Sequence, residues 1–436
     1  MPASGGNPEV LVPPQPSLAY HHPQFLPDGK SFLYSRSTLG SVSRNQVLIR
    51  SLDKSDETPV VEGAYNFSYL KSGVLVYTLG TNPNFVDLQA VAFDASARKV
   101  VGNPVTIATN VSITTAGSGA HFAVSDSGTL AYLPSNLEGS QSRMVRVSLT
   151  GQVEVLPTEP RLYSDPRVSR DGHSVVAHLQ GDENDVWVAS VDRGTLTRIS
   201  FNIGEDETPA WSPDGRTVAW SGSRTDLIRG IFRRQADGEG GEELIWKLDL
   251  HTHVRDWAPD GKSLLFETVS PKTSGDIWRL DLEGSPRATP VMQTPFNEHN
   301  SRLSPDGKWI AYASNESARD EVYIQKYPEG GSRLTVSTAG GDQPVWSRDG
   351  RTLFFRSNSE VYAVDMVAGP QPSLTNLRSL FPDRFDSPQA GSHTGYDAFP
   401  DGKLLMLQST SEKDGGRSKI VVVLNWLEEL KQRLGQ

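Results

Sequence analysis

Seven of the nine histidines in this 436-residue chain fall at or just before the start of a strand-like segment: His21, His22, His121, His251, His253, His299 and His393. Imidazole is the commonest neutral metal ligand and the side chain that changes charge near physiological pH. Asp165, Asp206, Arg255, Asn300, Arg302 and Asp342 occupy similar lead-in positions. Carboxylates, guanidinium groups and imidazoles gathered in one place could bind a small ligand, a peptide or an ion. The expectation is a ligand-binding ring made of His21, His22, Asp165, Asp206, His253, Arg255, His299, Asn300, Arg302, Asp342 and His393. Neither a metal nor a cofactor is expected there, since the lead-in loops of a repeat are polar simply through being solvated. No catalytic residue is assigned.

Such residues converge only if the elements behind them repeat, and they do. The phrase Ser-Pro-Asp-Gly-Lys/Arg, followed by an apolar run, recurs in PQFLPDGKSFLYS, TPAWSPDGRTVAWS, VRDWAPDGKSLLFE, NSRLSPDGKWIAYAS and QPVWSRDGRTLFFRS. The turn glycines are Gly29, Gly73, Gly128, Gly172, Gly215, Gly261, Gly307, Gly350 and Gly402, between 43 and 55 residues apart. Asp-Gly closes a tight hairpin, because Gly accepts positive φ and Asp bonds its own backbone. A strand such as PAWS precedes the turn and TVAWS or WIAYAS follows it with period-two alternation. A third segment (DVWVASVD, DIWRLDLE, EVYIQKYP) and a weaker fourth (LTRISF, RLTVST) complete the unit.

Four strands in roughly 45 residues read as a β-propeller blade. The fold class expected is all-β: a single-ring propeller of nine four-stranded blades, or eight if the divergent second and third units are discounted. One domain covers 1–436, with repeats at about 18–62, 64–110, 120–160, 164–201, 206–249, 253–296, 297–340, 341–383 and 394–426. A ring left open exposes unpaired strand edges. The N-terminal segment 7–13 (NPEVLVP) is therefore expected to close it by joining the C-terminal blade. Residues 427–436 read as a short tail with Leu427, Leu430 and Leu434 on one helical face. The first strand of each blade lines a propeller's channel, so the polar residues should surround one mouth.

Other prominent residues have structural readings. The turn aspartates (Asp28, Asp171, Asp214, Asp260, Asp306, Asp349, Asp401) are demanded by turn chemistry. Trp211, Trp257, Trp346, Phe25 and Phe399 share one repeat position and read as packing between blades. There is no Gly-x-Ser-x-Gly elbow, no phosphate-binding loop and no complete kinase motif, VRDW matching only a fragment of one. A net charge of -10 argues against a general nucleic-acid binder, and the absence of cysteine removes disulfides and thiolate chemistry. No apolar run reaches membrane-spanning length. The opening MPASGGNPEVLVPPQP lacks the regions of a signal peptide and reads as a cut inside a longer protein.

The repeats resemble the TolB-like (WD-type) propeller repeat over nearly the whole chain. QTPFNEHNSRLSPDGKWIAYASNESARDEVYIQKYP, STAGGDQPVWSRDGRTLFFRS and IVVVLNWLEELK resemble the propeller that follows the kinase domain in bacterial serine/threonine receptor-like kinases. This chain has no kinase domain. The resemblance implies a non-catalytic sensor or scaffold that binds a protein or small-molecule ligand at the channel mouth and is monomeric when isolated. It would be extracytoplasmic if it belongs to a membrane kinase. A free-standing periplasmic TolB-like scaffold is the alternative, and a metal-dependent polysaccharide lyase-like propeller the second.

Overall fold

The computed structural model describes residues 10–410, apart from 16–17, 39–40, 55, 65, 80–84, 114–118, 136–140, 181–183, 203, 225–227, 249, 271–272, 332, 368, 370–371 and 388–392, then 420–428 and 430. The nine turn glycines all form one kind of turn. Each N–H donates to the carbonyl three residues earlier, from Gly29 to Leu26 through Gly402 to Phe399, with φ between +63° and +87°. That left-handed backbone suits glycine. In the seven Asp-Gly copies the aspartate Oδ1 accepts the N–H two residues on. These carboxylates are occupied as turn formers.

The chain is all-β, with eight four-stranded antiparallel sheets and one three-stranded sheet among the described residues. Contacts divide it into two compact units, 1–137 with 413–436, and 138–412. In the first unit, one sheet holds Leu18–Phe25, Ser31–Thr38, Ser41–Ser51 and Glu57–Glu62, and a second holds Phe67–Tyr69, Val74–Leu79, Phe85–Asp94 and Lys99–Ser112. The third pairs Phe122–Val124 and Leu130–Tyr132 with Val421–Val423. Trp426, Leu427 and Leu430, on a helical turn, bury themselves against Leu70, Val76, Leu88 and Leu130. Leu434 lies outside the described residues.

The second unit has six sheets, numbered here as blades by their inner strands: Tyr163–Val168 (I), Asp206–Trp211 (II), Thr252–Trp257 (III), Glu298–Leu303 (IV), Asp342–Trp346 (V) and Tyr396–Ala398 (VI). Each inner strand contacts the next, and the strand of VI contacts that of I, so the six close a ring. An apolar layer fills every gap between blades. Between II and I it contains Val176, Val186, Val218 and Trp220, and between VI and I it contains Met144, Leu405, Phe399, Val175 and Ala177. Burying such side chains contributes about 1.5–3 kcal/mol each.

The closure differs from the expected one. The free edge of Leu404–Ser409 is taken by Ser142–Val147, in register from Ser142 opposite Ser409 to Val147 opposite Leu404, and Val153–Val155 pairs outside that. The expected N-terminal strand is absent in its described part, since residues 10–13 are not in a strand, and 7–9 lie outside the described residues. NPEVLVPP carries Pro8, Pro13 and Pro14, each lacking the N–H a ladder needs, whereas SRMVRV carries none. The repeats read at 120–160 and 394–426 are each divided. Segments 122–132 and 421–423 belong to the first unit, and 142–155 and 396–409 to the second. Six blades thus close a ring within residues 138–412.

One glycine marks how tightly the closing blade fits. A Cβ on Gly194, at φ +69°, would stand 1.9 Å from the Pro157 carbonyl oxygen. Gly194→Ala is expected to destabilise the protein by more than about 1 kcal/mol, read as a lower urea midpoint at unchanged slope. Gly284→Ala, at φ +74° with nothing within 4 Å, should show only the smaller backbone effect.

Candidate functional site

Four of the six inner strands share a distortion that re-aims their side chains. Asp165, Thr208, Asn300 and Gln343 hold φ of 50–53°, each seven positions ahead of its turn glycine. The register with the second strand slips there, between Ser164 and Arg167, Glu207 and Ala210, His299 and Arg302, and Asp342 and Val345. Three of the four precede a proline (Pro166, Pro209, Pro344), which cannot donate to the ladder. Such bulges bend a strand and redirect what it carries.

At the lead-in mouth of the ring, blades VI, I, II and III bring five polar groups together. His393 Nδ1 lies 2.6 Å from Asp165 Oδ2, and its Nε2 lies 3.8 Å from Glu207 Oε2. His251 Nε2 sits 3.0 Å from Glu207 Oε1, and His253 Nε2 sits 3.8 Å from the same oxygen. The His253 ring meets those of His251 and His393 edge-on, with centroids 4.6 and 5.4 Å away. Burial disfavours charge on His393, but the Asp165 and Glu207 carboxylates overcome it and raise its pKa to about 9. Burial, with His251 and Arg255 nearby, holds His253 well below 6.5 and therefore neutral. Glu207 stays ionised despite burial because His251 and the other imidazoles face it.

A second group forms at blades IV and V. His299 Nε2 lies 3.4 Å from Asp342 Oδ1 and 4.0 Å from Asp320 Oδ2, while Asn300 Nδ2 donates to Asp342 Oδ1 at 2.9 Å. Arg255 is fully buried, with its Nε 2.7 Å from Glu267 Oε2; Glu267 Oε1 accepts from the N–H and hydroxyl of Ser301. Glu267, paired with Arg255 inside blade III, therefore ties blade III to blade IV. Arg302 donates to Thr394 Oγ1 at 3.3 Å and points on toward Asp256 Oδ1 at 3.9 Å.

Of the residues expected to line one mouth, His393, Asp165 and His253 meet in the first group and His299, Asn300 and Asp342 in the second. Asp206 does not join them. It accepts from Trp220 Nε1 and Arg224 Nη1 inside blade II, while its neighbour Glu207 faces the histidines. His21 and His22 belong to the first unit, where His21 meets Ser37 and His22 meets Asn66 and Ser35.

On the turn side of the same ring lies a cavity of about 270 Å³ to which all six blades contribute. Its walls include Trp211, Trp257 and Trp346, and its charged groups are Arg167, Arg170, Arg302 and Arg348 against Asp256 and Asp397. Burial, with Asp397 nearby, raises Asp256 to about 6 in opposition to Arg167. Trp211 and Trp346 do pack between blades, donating their indole N–H to the carbonyls of Arg167 and Arg302. They are cavity walls as well, which the packing reading missed. Phe399 is buried as expected, whereas Phe25 is 59% exposed. Arg170 and Arg348 occupy the place where other turns carry Pro213, Pro259 and Pro305, a departure visible in SRDG against SPDG.

No family model matches the chain. An uncharacterized protein of Agrobacterium fabrum (strain C58 / ATCC 33970) is 26% identical over 156 residues, covering 36% of this chain; the chain spans about half (50%) of that curated relative's length. Among solved structures, a protein provisionally identified as TolB from Agrobacterium tumefaciens matches with a TM-score of 0.51 at 20% identity, covering 62% of this chain and 99% of its own. TolB from Acinetobacter baumannii matches with a TM-score of 0.42 at 13% identity, covering 80% of each chain. The first likeness shows a TolB-like propeller fold.

Proposed function

We propose that this protein is a non-catalytic binding module whose six-bladed unit takes an acidic protein segment into the turn-side cavity. The observation that carries the reading is the convergence of four arginines from three blades and three tryptophans from three blades on one cavity of about 270 Å³. Guanidinium groups pair with carboxylates in a planar, directional way, and indole walls supply contact area at low entropic cost. The carboxylates present, Asp256 and Asp397, are too few to neutralise the arginines.

The test is titration with an octaglutamate peptide, followed by intrinsic tryptophan fluorescence. Saturable quenching that weakens at least tenfold in Arg348→Ala is the expected result. Arg348 is one-third exposed, so this change leaves the core intact. Equal affinity in the variant, or no quenching, would falsify the cavity assignment. Incubation with acidic oligosaccharides and manganese should release no unsaturated product; its appearance would favour the lyase-like alternative.

The finer reading is a sensor or scaffold region associated with a bacterial serine/threonine kinase, acting outside the cytoplasm. It is supported by the repeat phrases from Gln293 to Pro328 and Ser337 to Ser357. Native protein isolated from its source at the 47.6 kDa of this chain, with no kinase sequence, would remove the kinase association and favour the free-standing scaffold.

A further inference from the structure

We infer that Glu207, His253 and His393 form a binding site for a divalent transition-metal cation of the zinc type. One ligand atom from each residue lies within 4.8 Å of the other two. A tetrahedral ion with bonds near 2.0–2.1 Å spaces its ligand atoms about 3.4 Å apart. His253 Nε2 lies 3.8 Å from Glu207 Oε1 and His393 Nε2 lies 3.8 Å from Glu207 Oε2, so side-chain rotations that draw the three ligand atoms inward from within 4.8 Å reach that spacing.

The state of each ligand carries the inference further. His393 faces Asp165 through Nδ1 at 2.6 Å, which fixes the ring and turns Nε2 toward Glu207. A carboxylate behind the far nitrogen is how proteins orient a metal-bound histidine. His253 is 2% exposed, and neither ring nitrogen has a hydrogen-bond partner among the described residues. Leaving a buried polar atom unpaired costs about 1–3 kcal/mol, and a metal bond at Nε2 removes that cost. Two imidazole nitrogens with one carboxylate suit zinc, cobalt or nickel, whereas calcium and magnesium prefer all-oxygen sets. With three protein ligands, the fourth position stays open. His251, 3.0 Å from Glu207 Oε1, stands beside the site and can hold that oxygen while Oε2 faces His393. The site is at the lead-in mouth and is independent of the turn-side cavity.

Untagged protein, stripped with a chelator, is titrated with cobalt(II) alone and followed by visible absorption, then with zinc(II) by competition. One equivalent of cobalt should give the intense d–d bands of a four-coordinate site, and zinc should displace it. His253→Gln and Glu207→Gln should each weaken binding at least a hundredfold, with the fold checked by circular dichroism. His299→Gln, in the other histidine group, should leave it unchanged. If the parent shows no such bands, or His253→Gln binds like the parent, the site does not exist. If His253→Gln is misfolded, Glu207→Gln decides the matter by the same criterion.

Discussion

Asp165→Ala in metal-free protein is expected to lower stability by about 3–5 kcal/mol, the usual loss when one partner of a buried ion pair is removed. Asp165 is 1% exposed and makes four links. Its carboxylate accepts from Ser164 Oγ and the Thr394 N–H at 2.9 Å and meets His393 Nδ1 at 2.6 Å; its own N–H donates to the Thr394 carbonyl at 3.1 Å. Thr394 leads into the inner strand of blade VI, so these bonds fasten the last blade to the first. His393 holds Asp165 well below the usual carboxylate range against the pull of burial. Without Asp165, a buried imidazolium loses its nearest counter-charge. Asp165→Asn keeps an acceptor for Thr394 and should lose less. Guanidinium denaturation measures both; an alanine variant within error of the parent would mean the closure does not depend on this residue.

The turns and strands were legible because each repeats a local rule. Positive φ suits glycine and the turn suits aspartate, so a turn glycine recurs every 43 to 55 residues and marks each of the nine sheets, preceded by aspartate in seven of them. WIAYAS is the strand Trp309–Ser314 itself, and the fourth strands are shorter than their phrases, as Leu196–Arg198 is against LTRISF. Closure is not a local property. SRMVRV and KIVVVLNW are both apolar enough to lie beside a strand, and only the packed ring decides which one meets Leu404–Ser409. The Asp206 error has a similar origin. Adjacent residues on a strand face opposite ways, so choosing Asp206 over Glu207 needs the register, and the bulge after Glu207 shifts it. The cavity arginines had a readable sign, since Arg170 and Arg348 break the Ser-Pro-Asp-Gly phrase.

Stability of the metal-free protein is expected to decline as pH rises from about 7 to 9.5, with His299 as a main cause. Burial opposes charge on His299, but Asp342 at 3.4 Å, Asp320 at 4.0 Å and Glu267 beyond them raise its pKa from 6.5 to about 9. A histidine raised on folding adds stability that is complete below its unfolded value and disappears as pH climbs through the folded one. The interval from 6.5 to about 9 corresponds to about 3 kcal/mol. Asp342 works in the opposite direction. His299 and Asn300 keep it below 3.8 although it is buried, so its share is present above the unfolded pKa and lost as pH falls through the folded one. The pair therefore gives a plateau bounded by acid loss and alkaline loss. His299→Gln should differ most from the parent near pH 6 and converge with it above pH 9.5, while the raised His393 keeps a residual alkaline slope in both. Parallel stability curves across that interval, measured by urea denaturation, would show that His299 carries no charge in the folded protein.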